Sequence, residues 1–132
     1  MGNDYAIDTE NLSRRYGRVE AVRGLNLQVS RHQITGFLGR NGAGKTTTIR
    51  MLLGMTRPSE GSGTVLGRSI VNARENRIAR RHVAYVGEDK ELYCYMTVAQ
   101  LIRFTAAFYP DWRLETEHCL LRRYELPSER KV

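Results

Sequence analysis

The chain has 132 residues, with 21 Lys and Arg against 14 Asp and Glu and a formal net charge of +7, a length that suits one domain with its own core. The basic balance fits a phosphate ligand or anionic surroundings, and no RNA- or DNA-reading motif accompanies it, so no nucleic-acid partner is expected. Only Cys94 and Cys119 are present, in no metal-ligand spacing, which excludes a disulfide scaffold and predicts reduced, cytosolic thiols.

In chain order, the acidic start Met1–Glu10 has no apolar core of a signal peptide. No run anywhere approaches the roughly 18 apolar residues of a membrane span, so a soluble chain is expected. Tyr5-Ala6-Ile7-Asp8 predicts a short first strand, and Leu12 to Gly17 predicts a turn. Tyr16 stands open between two readings, a base-stacking aromatic or ordinary packing among seven tyrosines. Leu25-Asn26-Leu27-Gln28-Val29 alternates apolar and polar, which predicts a half-buried strand. Gln33 to Leu38 predicts a buried strand that feeds a glycine-rich loop.

That loop, Gly39-Arg40-Asn41-Gly42-Ala43-Gly44-Lys45-Thr46-Thr47, fits G-x-x-x-x-G-K-[ST]. Its glycines let the backbone approach an anion without a Cβ in the way. Lys45 supplies a compact cation for terminal phosphates, and the Thr46 hydroxyl a ligand for Mg²⁺. Thr46 to Leu53 predicts a helix whose unpaired N–H groups face the phosphate, ending at Gly54. Strand, loop and helix in this order mark a nucleotide-phosphate site.

Pro58 to Gly63 is a turn cluster, followed by Thr64-Val65-Leu66 and a further turn at Gly67. Ala73 to His82 reads as a helix with a solvated arginine face. Val83-Ala84-Tyr85-Val86 predicts another buried strand, ending at Gly87-Glu88-Asp89. Glu88 or Asp89 is either a carboxylate for a Mg²⁺-bound or attacking water, or an ordinary polar loop residue. Thr97 predicts an N-cap for a helix from Val98 to Tyr109, with Leu101, Ile102, Thr105 and Phe108 at helical spacing. Pro110-Asp111-Trp112 breaks it, and Leu114 to Tyr124 predicts a further helix.

The order Tyr16-Gly17, Ala21 to Leu27 and Gly36 to Thr48, continued by Gly61 to Gly67 and Val83 to Glu88, resembles an ATP-binding cassette (ABC) transporter ATPase subunit. Tyr85 through Met96 to Trp112 is similar to the bacterial export-type branch of the YtrB and bacitracin-resistance ATPases. The resemblance implies ATP and Mg²⁺ as cofactors, with Tyr16 stacking on adenine, residues 39–47 cradling phosphate and Thr46 on the metal. Glu88 falls where the family usually has a glutamine that touches Mg²⁺ and the attacking water, so it is implied as a second metal residue.

The resemblance further implies an integral membrane permease as partner, received near residues 89–109, and a second ATP-binding subunit. The location implied is cytoplasmic, at the inner face of the cell membrane. The family's later LSGGQ-like signature, Asp-Glu strand and switch histidine do not occur in residues 1–132, so no catalytic residue is identified. The expected fold is α/β, a P-loop NTPase core with an antiparallel β-subdomain from residues 1–30 and 62–71, truncated before the signature. Residues 1–88 are expected to be the N-terminal part of the core, and 89–132 the start of a helical subdomain. Two functions follow: an ATPase subunit coupled to transport when complete, or a truncated nucleotide-binding module without hydrolysis. A GTPase or small-molecule kinase is disfavoured, because neither Asn-Lys-x-Asp nor a following Asp-x-x-Gly occurs.

Overall fold

The computed structural model describes residues 4–87 and 92–132. It divides into two compact units between Arg80 and Arg81. The first is built on a long hairpin of β1 (Tyr5–Tyr16) and β2 (Val19–Ser30), to which β3 (Glu60–Val65) and β4 (Arg68–Ser69) are added. All pairings are antiparallel, and the strand order is β2-β1-β3-β4.

This corrects the expectation of a short strand followed by a turn at Leu12–Gly17. The chain turns only after Tyr16, which pairs with Val19, through Gly17 at φ 59. The second strand likewise extends beyond residues 25–29 at both ends. Bulges hid both from a period-two reading: the register shifts between Thr9 and Leu12, Leu12 and Arg14, and Arg14 and Arg15. Side chains replace the ladder at these shifts. The buried Thr9 hydroxyl donates to the Leu25 carbonyl at 3.0 Å and accepts from the Leu27 N–H at 2.8 Å. The buried Ser13 hydroxyl accepts from the Gly24 N–H at 2.8 Å, and the Asn26 side chain accepts from the Asn11 N–H at 2.8 Å.

Helix α1 (Lys45–Leu52) buries Thr48, Met51 and Leu52 on one face. It ends as the sequence predicts. Gly54 at φ 67 donates to the Met51 carbonyl at 2.9 Å and Met55 donates to Arg50 at 2.8 Å, the paired bonds of a Schellman end. Helix α2 (Ala73–Arg80) starts on Asn72, whose side chain accepts from the N–H groups of Arg74 and Glu75. It buries Asn76 and Ala79 while Arg74, Arg77 and Arg80 face solvent, which is the solvated arginine face expected. The apolar core is Leu12, Val22, Met51, Leu52, Leu53, Val65, Ile70 and Ala79.

The two buried strands expected at Gln33–Leu38 and Val83–Val86 are not found; neither segment carries strand structure. Ile34 and Leu38 are fully exposed, as is most of Val86. A strand exists only where another supplies ladder partners. Among the described residues no strand pairs with either segment.

The second unit holds α3 (Val98–Ala106) and α4 (Leu114–Arg123). Thr97 caps α3 as expected, and a full capping box with Gln100 forms. Thr97 also bridges to Lys131, and the Val132 N–H donates to the Met96 carbonyl at 3.1 Å. The Tyr109 hydroxyl donates to the Val83 carbonyl at 3.3 Å. Neither helix has a buried residue.

Candidate nucleotide-phosphate site

Residues 39–44 carry the chain into the N-terminus of α1. Gly44 is the helix N-cap at φ 86, in the left-handed region, and no side chain caps the first turn. That turn contains no acidic residue, so its free N–H groups present partial positive charge uncompensated by a carboxylate. Gly44 is glycine for a second reason. A Cβ there would collide with the Ala21 carbonyl oxygen in β2 and meet the Val22 side chain at 2.9 Å. Gly42, at φ 84, faces open space.

The Lys45 side chain folds back across the loop. Its ammonium donates to the Gly39 carbonyl at 2.6 Å and to the Arg40 carbonyl at 2.9 Å. The Ala43 N–H donates to Arg40 at 3.1 Å, closing a turn inside the loop. An ammonium has three hydrogens, so one remains for an incoming anion while the other two hold the loop's shape. Arg40, Asn41, Gly42, Ala43 and Thr46 are exposed, and Gly39 is exposed beside the Lys45 stem; Thr47 is half-buried. Residues 39–47 are thus brought together with their polar groups accessible. Thr48, next in sequence, turns into the core.

Tyr16 sits at the end of β1, with Val19 opposite it. Val19 is two residues from Ala21, the strand residue against Gly44. The Tyr16 ring is exposed, with the Arg14 guanidinium 4.5 Å from its centroid. Its hydroxyl is held below the usual tyrosine range, first by a hydrogen bond with Thr56 and then by Arg14, with Arg50 adding a weaker electrostatic pull. Glu88 lies outside the described residues. Arg14 and Thr56 escaped the sequence reading, and the only available signal was Arg14's position two residues before an aromatic.

The second unit offers an apolar surface instead. Tyr93 meets Phe104 edge-on at 5.8 Å, and Phe104 meets Phe108 at 5.2 Å. All three rings remain partly exposed.

Comparison with known proteins agrees with this geometry. The family model described as ABC transporter matches residues 22–131. The chain is 36% identical over 103 residues to the probable multidrug ABC transporter ATP-binding protein YbhF of Escherichia coli, covering 78% of this chain and 18% of that protein. It is 37% identical over 100 residues to the bacitracin transport ATP-binding protein BcrA of Bacillus licheniformis, covering 76% and 32%. It is 38% identical over 109 residues to the Nod factor export ATP-binding protein I of Ralstonia nicotianae, covering 83% and 33%.

The solved ATP-binding subunit of an ABC transporter superposes with a TM-score of 0.81 at 27% identity, covering 96% of this chain and 54% of that one. CbiO1 of Clostridium perfringens, part of the ABC transporter complex CbiONQ, gives 0.74 at 25%, covering 98% and 54%. The chain therefore spans about half the length of these structures and a third or less of the three relatives. The α/β P-loop fold with its antiparallel sheet is that of the ABC ATPases, and the chain belongs to the ABC transporter family, as part of an ATP-binding subunit.

Proposed function

We propose that these residues form the nucleotide grip of an ABC transporter ATP-binding subunit, holding Mg·ATP through the loop at 39–47. One observation carries the reading: the Lys45 ammonium is set across the loop by the Gly39 and Arg40 carbonyls, at the mouth of a helix with no cap and no acidic first turn. The loop amides and Lys45 take the phosphates. The Thr46 hydroxyl is exposed at the start of α1 and suits Mg²⁺, which keeps several waters and needs few protein oxygens when phosphates supply the rest. Tyr16 serves as the platform for the base, and Glu88 as a carboxylate toward a metal-bound water. In the complete subunit, ATP binding and hydrolysis drive transport through a membrane permease, docked near residues 89–109, together with a second ATP-binding subunit at the inner face of the membrane. No described helix is long and apolar enough to cross a membrane.

Titration calorimetry on the 132-residue chain tests the grip. Mg·ATP is expected to bind, and Lys45→Ala to weaken it at least tenfold, because charge-assisted bonds to the terminal phosphates are lost. Equal affinity before and after that change overturns the phosphate assignment. Turnover is expected to stay well below about 1 s⁻¹, the low end of ordinary enzymes. Transition-state charge and water positioning fall to groups that residues 1–132 do not contain. Lys45-dependent hydrolysis near that rate overturns this part of the reading and leaves binding intact.

A further inference from the structure

Building on the reading of Tyr16 as the base platform, we propose that Arg14 is a positioning residue for nucleotide binding: its guanidinium backs one face of the Tyr16 ring and ties it to the segment after α1, leaving only the opposite face for a base. The guanidinium carbon lies 4.5 Å from the ring centroid, well inside the range of a cation–π contact. Its Nη1 donates to the Arg57 carbonyl at 2.8 Å. Arg57 follows the Schellman end of α1 by three residues, so the platform is fastened to the helix whose other end faces the phosphates.

Arg14 is held in this position at a cost. Its Nε is buried and has no hydrogen-bond partner, which a side chain free to relax would avoid by turning to water. Arg14 has no acidic partner among the described residues. Its neighbour Arg15 takes the ion-pairing role with Glu20 at 3.3 Å and Glu60 at 3.1 Å. The two consecutive arginines therefore do different work: Arg15 joins strands, and Arg14 braces an aromatic ring. A ring braced at its back loses little freedom when a base stacks on it, and reduced ordering cost appears as affinity.

The test is calorimetry with two probes, Mg·ATP and inorganic tripolyphosphate, on wild type, Arg14→Ala, Arg14→Lys, Tyr16→Ala and the Arg14→Ala/Tyr16→Ala double variant. Arg14→Ala is expected to weaken ATP about two- to fivefold, the size of an exposed cation–π contact, and to leave tripolyphosphate unchanged. In the Tyr16→Ala background the same change is expected to have no further effect, since Arg14 acts through the ring. Arg14→Lys keeps the cation and the alkyl stem, so it is expected to recover part of the loss. A loss that persists without Tyr16, or that falls equally on both probes, overturns the proposal. So does a loss of ATP affinity in Tyr16→Ala with none in Arg14→Ala. If Arg14→Ala does not fold, Arg14→Lys decides: a smaller loss that vanishes in Tyr16→Ala supports bracing, and no coupling overturns it. Unchanged ATP affinity in Tyr16→Ala overturns the platform reading itself, and the bracing with it, while the Lys45 grip stands.

Discussion

Tyr16, proposed above as the base platform, also carries a titration. Its pKa is lowered first by Thr56 and then by Arg14 and Arg50, against an opposing effect of burial that ranks second among the causes. The folded chain therefore releases this proton at a lower pH than the unfolded chain does. The resulting stability is fully present above the unfolded value, about 10 for tyrosine, and is lost as pH falls through the folded value. Spectrophotometric titration is expected to show one of the seven tyrosines ionising ahead of its ordinary range. Tyr16→Phe should remove that step, and Thr56→Val and Arg14→Ala should each move it upward. A step unaffected by Thr56→Val contradicts Thr56 as the leading cause. The sequence marked Tyr16 as an aromatic near a phosphate loop, but it held no sign that Arg14 would lie against its ring.

At the scale of elements, local chemistry was legible and long-range pairing was not. Gly54, Thr97 and the spacing of Leu101 and Ile102 announce helix ends and faces through bonds made within a few residues. The β1–β2 hairpin runs far beyond the strands predicted, because bulges at Asn11 and Arg14 break the alternation and Thr9 and Ser13 hydroxyls do the ladder's work. Gln33–Leu38 fails for the opposite reason: its composition suits a buried strand, and only a partner strand makes one. The glycine turn leading into α1 was legible because the motif that encodes it is local. The end of α1 supplies a test. A methyl group at Gly54 would adopt a left-handed φ of 67 and collide with the Asn76 side chain, which donates to the Leu52 carbonyl at 3.3 Å. Gly54→Ala is expected to cost about 1 kcal/mol for the backbone alone and more for the displaced Asn76. Denaturant unfolding that shows no loss contradicts the geometry.

At the scale of the whole molecule, burial is unevenly shared. Every buried apolar side chain among the described residues belongs to the unit ending at Arg80, while α3 and α4 bury none. Ile34, Leu38, Val86, Tyr95, Phe108 and Tyr124 remain well exposed. Exposed apolar side chains in this number favour association. The 132-residue chain is expected to self-associate with rising concentration in sedimentation velocity, and the Ile34→Lys/Leu38→Lys pair to reduce it without lowering ATP affinity. Concentration-independent monomers in the wild type contradict this expectation.

Gly44 and Gly42 share a motif but answer to different constraints. Gly42 faces open space, so its freedom serves whatever approaches the loop. Gly44 is pressed against the Ala21 carbonyl, so its missing side chain is owed to the strand beneath it. In a lineage that gave up nucleotide altogether, the first would drift while the second would persist for the sake of folding. Half of what looks like an inherited binding signature is inherited architecture, and a descendant could retain that half long after its last encounter with a phosphate.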